Sequence, residues 1–534
     1  MRPHVSREAA SAIGLLGFQR PDANAPTVTA TKIAAVALLG AKTFQNYIAG
    51  EWVDAKDGAT FESTSPANGA TLGVFPKSTA TDVDRAVAAA KEAFEEWCLV
   101  PAPKRGEIIF GFAQLLTAQK EDIAQLMARE MGKVLPEARG DVQEAIDMAY
   151  YMGGEGRRLF GQTTPSELRD KFNMSVRMPI GVVGVITPWN FPIAIPSWKI
   201  LPALVCGNTV VFKPATDTPF LGERFVELLA EAGVPPGVVN VVHGGGAEVG
   251  NAIVQHPDVP VITLTGSRET GVAVTKTGAD RLKHIHLELG GKNAIIVLDD
   301  ADLDLAVEGI IWSAFGTSGQ RCTAASRVIA HESVYDTLVS RLVREAEQLR
   351  LGVGWEDDTD VGPVINKSAL EKIHSYTEIG KQEGAQLLTG GEVASSNGLD
   401  KGFYYRPTIF GEVDPQMRIA QEEIFGPTVA VIKVRELDEA ISVSNGIKYG
   451  LSSSIFTRDV NTAFRAMRDL KAGITYINAG TIGAEVHLPF GGVKDTGNGH
   501  REAGQAALDF FTEWKSIYVD YSGKLQKAQI DTAE

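Results

Sequence analysis

The chain has 534 residues, with 51 Lys and Arg against 66 Asp and Glu, a formal charge of −15 and 44% hydrophobic residues. At roughly 100–200 residues per domain, two to four domains with apolar cores are expected, which excludes disorder as the dominant state. The acidic balance excludes a general nucleic-acid binder. Three cysteines without CxxC or Cys/His spacing exclude a disulfide framework and a metal cluster, and point to a reducing, cytoplasmic setting.

Residues 1–44 read as an N-terminal extension, Ala-rich, with Arg2, Arg7, Arg20 and an apolar run from Ile33 to Gly40 that lacks the order of a secretory signal. An accessory helix, a loose extension or an organellar transit peptide fits it. From Gln45 an alternating α/β texture begins with a hairpin-like pair around Gly50. Thr81 to Asp84 has a capping-box pattern, and Val83, Val87, Ala90, Phe94 and Trp97 follow at helical spacing. Cys98, at the end of that helix, reads as a small buried hydrophobe. Residues 162–176 read as a protruding hairpin. Ile180 to Trp198 is uncharged over the length of a bilayer span, but Pro188, Pro192 and Pro196 make a spanning helix untenable. A buried strand followed by an irregular segment is expected there, and no membrane partner.

Between Ile180 and Gly291, five apolar runs (IGVVGVI, NTVVF, GVVNVV, PVITLT, HIHLEL) each end in a polar or Gly-rich turn. That rhythm predicts parallel strands buried on both faces, with ligands at their carboxyl ends. A second α/β block runs to Leu488, with NAIIVL, SRVIAH, TVAVIKV, SSSIF and ITYIN as strands. The tail from Ala503 to Tyr521 predicts a short helix and an exposed strand, whose edge invites subunit pairing.

The residues that can carry chemistry lie just after these runs. Cys322, in FGTSGQRCTAAS, sits where small residues permit close approach to a ligand, but a free thiol with pKa near 8.5 is only about 3% thiolate at pH 7, so a nucleophile needs local help. Arg321 and backbone N–H groups offer it; a buried structural thiol is the alternative, and Cys206 takes that reading. Glu288 ends a strand before two glycines, where a half-buried carboxyl suits a general base; a surface Glu is the alternative. Asn190, between prolines, suits an oxyanion donor, or is an Asx-turn residue. Lys213 could reach a ribose or phosphate. Gly244, Gly245, Gly246 and Gly250 follow a strand but depart from the GxGxxG spacing.

Together, TPWNFP, FKPA, TGS, LELGGKN, GQRC, EEIFGP and PFGG, in this order over about residues 45–520, resemble the aldehyde dehydrogenase superfamily. The resemblance implies an α/β fold with a Rossmann-like cofactor domain (45–160 and 180–289), an α/β catalytic domain (290–490), a small β oligomerisation element (161–179 and 503–521) and a C-terminal tail (522–534). It implies NAD or NADP as cofactor and a homodimer or homotetramer. Cys322 would be the nucleophile, Asn190 and the Cys322 N–H the oxyanion hole, Glu288 the base that activates water and Lys199 part of a proton relay. Ile186, Thr187, Pro188, Trp189, Lys213, Thr216, Gly246, Gly250, Thr265, Gly266, Ser267, Glu423 and Phe425 would meet the cofactor. Thr216 stands where many NAD-preferring members have Glu; a neutral residue there removes repulsion of a 2′-phosphate, so dual use is expected.

PAPKRGEI, DVQE, GQRCT, GLSSSIFTRD and GAE are similar to the antiquitin-like aminoadipic semialdehyde dehydrogenases. This implies 2-aminoadipate semialdehyde as substrate, held by Glu144, Arg321, Gly483 and Ala484. TPWNFP and KPATDTP look more like other branches, including pyrroline-5-carboxylate (glutamate semialdehyde) enzymes, and a broad-specificity aldehyde dehydrogenase is a further alternative. Arg321 has two readings, thiolate electrostatics or substrate partner. Glu288 argues against transfer of the acyl group to coenzyme A, and the three catalytic positions argue against a non-catalytic binding protein.

Overall fold

A computed structural model describes residues 42–530. The N-terminal extension before Lys42 and the end of the C-terminal tail after Ile530 lie outside the described residues.

Two seven-stranded sheets carry the architecture. The first runs in the order His284–Glu288, Val261–Thr265, Val182–Ile186, Thr209–Lys213, Val239–Val241, Asn46–Ile48, Glu51–Val53. Its first five strands are parallel, and the last two form an antiparallel hairpin. The hairpin turns through Ala49 (φ 55°) and Gly50 (φ 87°), two consecutive left-handed residues of the kind whose twist matches the flanking strands. The central parallel strands are buried almost throughout, as continuous Val/Ile runs require when helices cover both faces.

The second sheet has the order Gln386–Thr389, Thr408–Gly411, Thr428–Val434, Ala325–His331, Asn293–Val297, Ser452–Phe456, Ile474–Ile477, parallel except for its first strand. The strands at 386–389 and 408–411 were not among those expected, because four-residue runs leave too few positions to display a period. A three-stranded antiparallel sheet joins the hairpin of Gln162–Pro165 and Lys171–Pro179 to the tail strand Thr512–Asp520. Thr60–Thr64 and Thr71–Pro76 form a separate pair. No helix among the described residues is long and apolar enough to cross a membrane.

Three local expectations are corrected. The first helix begins at Ala80, two residues before the expected pattern would allow: Thr79 and Asp82 form its capping box, because Asp82 rather than Asp84 reaches back to the Thr79 N–H. Cys98 is only half-buried, since the helix ends there and its thiol turns to the Glu95 carbonyl. The segment after Asn190 is not irregular to Trp198; a helix spans Ala194–Cys206. Pro196 falls in its first turn, where no backbone N–H has an intrahelical partner to lose.

Candidate active site

Among the parallel strands of the first sheet the chain starts at Val182–Ile186 and then fills positions on both sides of it, so neighbouring connections leave in opposite directions at its carboxyl end. Such a switch point opens a crevice. A cleft of about 350 Å³ lies there, lined by Pro188, Trp189 and Asn190 after one strand, Thr265, Gly266 and Ser267 after the next, and Leu289 and Gly290 after the third. Cys322, Glu423 and Phe425 close it from the second sheet's side. Trp189 and Phe425 meet edge-on across it, with ring centroids 5.6 Å apart.

Cys322 is presented by a strained turn. Thr317, Ser318 and Gly319 all adopt left-handed φ (51°, 55° and 68°), a run that costs energy in the first two residues and must be held from outside. Glu137 does so: its carboxylate accepts from the Thr317 N–H (2.8 and 2.9 Å) and hydroxyl (3.0 Å). Gly319 meets the Gly426 carbonyl so closely that no side chain fits. On the other side, Asn293 Nδ2 donates to the carbonyls of Cys322 (2.8 Å) and Ala324 (2.9 Å). Asn190 is buried and donates from Nδ2 to the Gln320 carbonyl at 3.1 Å, which leaves its second N–H available to the cleft.

Burial pushes the Cys322 thiol up to about 12, and Glu288, Glu423 and Glu144 add to this while the Thr323 N–H opposes it. The expected help from Arg321 is not offered to the sulfur. Its guanidinium donates to Glu137 (3.1 Å) and Thr317 (2.9 Å) and lies 5.4 Å from the Phe191 ring centroid. The thiol is therefore protonated at neutral pH in the absence of ligands. Alkylation of Cys322 by iodoacetamide is expected to accelerate about tenfold per pH unit from pH 7 to 9 without a plateau, since only the thiolate reacts; mass spectrometry of quenched samples measures it. The Glu137–Arg321 pair also predicts a stability loss. Glu137→Ala should cost roughly 2–4 kcal/mol in urea denaturation by releasing the strained turn and leaving a mostly buried guanidinium unpaired.

Glu288 ends its strand with both carboxyl oxygens buried and without a hydrogen-bond partner among the described residues. Burial raises it well above the usual carboxylate range, Glu502 adds to this, and Lys199 and Arg501 oppose it. It is not among the cleft-lining residues, yet it lies near enough to raise the Cys322 thiol. Lys199 is also absent from the cleft wall. It is fully buried, forms an ion pair with Glu502 and donates to Thr263 Oγ1 at 3.0 Å.

Of the other residues expected to meet a cofactor, Ile186 and Lys213 face each other in register, and the Thr187 N–H donates to the Lys213 carbonyl. Lys213 is buried, its Nζ folded onto the Pro214 carbonyl at 2.7 Å, and burial lowers it to about 8. Gly250 packs beside Lys213 and Ile186, while the space at Gly246 is open. These glycines form a π-helical turn, Gly246–Gly250, in place of the usual phosphate loop. Thr216 is exposed. Ser267 caps the helix Arg268–Ala279, whose free N–H groups face the cleft end of the strand before it and suit an anionic group. Glu423 accepts from the Gly291 N–H at 2.8 Å.

The expected substrate residues divide. Burial raises the Glu144 carboxyl and Arg321 is among the charges that oppose this, but the ion-pair partner of Arg321 is Glu137. Gly483 is left-handed (φ 106°), and Ala484 packs partly buried on the main core. Residues not anticipated include Glu137, Gln320, Glu502 and His286. Tyr476 was also missed; burial raises its phenol, and Cys322, Glu144 and Glu485 add to this. Glu137, Gln320 and Glu502 carry no local signal, because each meets a partner distant in sequence.

The sequence pattern of the aldehyde dehydrogenase family matches residues 52–517. The chain is 43% identical to an alpha-ketoglutaric semialdehyde dehydrogenase of Bacillus subtilis, over 89% of this chain and 98% of that one. It is 40% identical to malonate-semialdehyde dehydrogenase 1 of Geobacillus thermodenitrificans, over 90% and 99%. A solved betaine aldehyde dehydrogenase of Staphylococcus aureus, in complex with NAD+, superposes with a TM-score of 0.89 at 35% identity, covering 92% of this chain and 97% of that one. With this extent of match and a cysteine-bearing cleft at the switch point of its first sheet, the chain belongs to the aldehyde dehydrogenase family.

Proposed function

We propose that the protein oxidises an aldehyde to its carboxylate with NAD or NADP. The observation that carries this reading is the convergence of Cys322, Asn190, Glu423 and Phe425 on one cleft with Glu288 just behind its wall. Cys322 gives up its thiol proton, which passes to solvent, as its sulfur adds to the aldehyde carbon, and the Asn190 amide with the Cys322 N–H stabilises the oxygen of the resulting thiohemiacetal. A nicotinamide dinucleotide, held at Trp189, Glu423 and Phe425, would supply the hydride acceptor for that carbon. The acyl group is then a thioester on Cys322. Glu288 removes a proton from water as its oxygen adds to the thioester carbon; the C–S bond then breaks, the product acid returns a proton to the Cys322 sulfur, and the carboxylate leaves. Pro188, Trp189, Thr265 to Ser267, Glu423 and Phe425 fit a flat, partly anionic cofactor: an aromatic wall, a helix N-terminus and a carboxylate for ribose hydroxyls. The exposed, neutral Thr216 beside Lys213 supports tolerance of either dinucleotide.

For the substrate, we infer a short semialdehyde that carries a carboxylate. The relatives' names support an oxo-acid such as alpha-ketoglutarate semialdehyde, or malonate semialdehyde, over 2-aminoadipate semialdehyde. Glu144 supports the same order, because burial pushes its carboxyl to about 8. A neutral carboxyl is a poor partner for a substrate ammonium. A kinetic panel of aliphatic, aromatic, amino-acid and oxo-acid semialdehydes with both cofactors tests this: kcat/KM should favour the carboxylate-bearing oxo-acids by at least about tenfold, a difference of ~1.4 kcal/mol. Equal kcat/KM for uncharged aldehydes overturns it. The sheet membership of the strands supports a cofactor domain around the first sheet and a catalytic domain around the second. The exposed Phe172, Trp514, Tyr518 and Val519 of the three-stranded sheet support a homo-oligomer.

A further inference from the structure

His286 and Glu288 alternate on one strand and so share a face. The His286 ring is buried. Its Nε2 stands 3.6 Å from Glu288 Oε1, and its Nδ1 stands 3.1 Å from Thr263 Oγ1 and 3.4 Å from Glu502 Oε1. Phe510 packs on the ring, with centroids 5.1 Å apart. The charged or titratable groups facing it are Glu288 on its own strand, Lys199 on the helix Ala194–Cys206, and His500, Arg501 and Glu502 on the segment opposite. Among the described residues neither Nε2 nor either oxygen of Glu288 has a hydrogen-bond partner. Two unsatisfied polar groups 3.6 Å apart in a buried setting are costly unless they serve each other.

We propose that His286 is a positioning residue for thioester hydrolysis, holding a single proton in common with Glu288 so that Glu288 becomes a carboxylate behind the cleft wall by passing its proton to Nε2. The exchange breaks the carboxyl O–H bond and forms an N–H bond, with no change in net charge. The imidazolium formed lies between the carboxylates of Glu288 and Glu502. A lone buried carboxylate would lack that compensation. Glu288 then takes a second proton, from water, as the water oxygen bonds to the thioester carbon; the C–S bond breaks, the sulfur of Cys322 takes a proton from the product acid, and the proton on Glu288 passes to solvent. Without ligands the neutral pair is favoured, since burial holds the Glu288 carboxyl up and the His286 imidazole down. Such a pair titrates as a unit.

This inference rests on the proposed reaction, and one set of measurements separates the two. In His286→Phe, and in His286→Gln, which keeps polarity without titrating, the acid limb of the kcat profile should move up by at least about one pH unit. At pH 7, kcat should fall about tenfold or more, below the 10²–10⁴-fold typical of direct general acid–base catalysis. The pre-steady-state burst of reduced cofactor should keep its rate and amplitude. If Phe prevents folding, Gln carries the test. A wild-type pH profile in the folded variants overturns the shared proton, as does a burst that slows in parallel with kcat. Absence of aldehyde-dependent cofactor reduction in the unmodified enzyme overturns the reaction itself, and this inference with it.

Discussion

Replacing Cys322 with alanine should reduce aldehyde-dependent cofactor reduction by on the order of 10⁴–10⁶-fold, as loss of the attacking atom does in other enzymes with covalent intermediates. The size follows from the chemistry assigned to the sulfur. An unhydrated aldehyde has no carbon that readily gives up hydride, and the thiohemiacetal supplies one. Stopped-flow absorbance at 340 nm checks the result, and cofactor binding followed by fluorescence titration should be unchanged, because the thiol is one small part of the cleft wall. Retention of more than about one per cent of turnover would sink the mechanism. Cys206 offers no substitute: it is buried within the helix Ala194–Cys206, and its thiol is also pushed up to about 12.

The second large effect belongs to Glu288→Gln. Turnover should fall roughly 10²–10⁴-fold, while a burst of about one equivalent of reduced cofactor per active site survives, because acylation needs Cys322 and only hydrolysis needs the base. The pH dependence gives a second readout. The Glu288 carboxyl is held well above the usual carboxylate range, mainly by burial and then by Glu502. Its basic form therefore accumulates as pH rises, so kcat of the unmodified enzyme should increase with pH through that ionisation. The Gln variant, with nothing to ionise at this position, should lose that rise. Rapid-quench detection of the acyl-enzyme would show it accumulating in the variant; a variant that loses burst and turnover together would contradict the division of labour.

Much of this site is legible in the sequence. The apolar runs that end at Ile186, Thr265 and Glu288 are strands whose carboxyl ends meet at one crevice, because a doubly covered parallel strand must be apolar along its length and turn immediately afterwards. The residues after those runs line the cleft as a direct result. Local rules failed where two similar signals compete within a few residues. Thr79 and Thr81 both precede an acidic residue by three positions, and only the packing of the helix selects Thr79 as the cap. Pro196 reads as a helix breaker, yet it sits in a first turn that tolerates it.

The electrostatics of the site were not legible at all. Arg321 adjoins Cys322 in sequence and so looks like its activator, but Glu137, 184 positions away, takes the guanidinium. Glu502 lies 303 positions from Lys199 and is its ion-pair partner. His286 reads in sequence as one more residue of a buried strand, and only the segment carrying His500 to Glu502 makes it the neighbour of two carboxylates. Strand identity, strand order of burial and the nucleophile-bearing motif are short-range properties, set by side-chain alternation and backbone preference over a few residues, and the sequence by itself determined them. The protonation states of Cys322, Glu288 and Glu144, the strain at Thr317 and Ser318 and the pairing of each buried charge depend on how much water is excluded and which distant groups arrive, and those are decided only when the two sheets and the C-terminal segment close around one cleft.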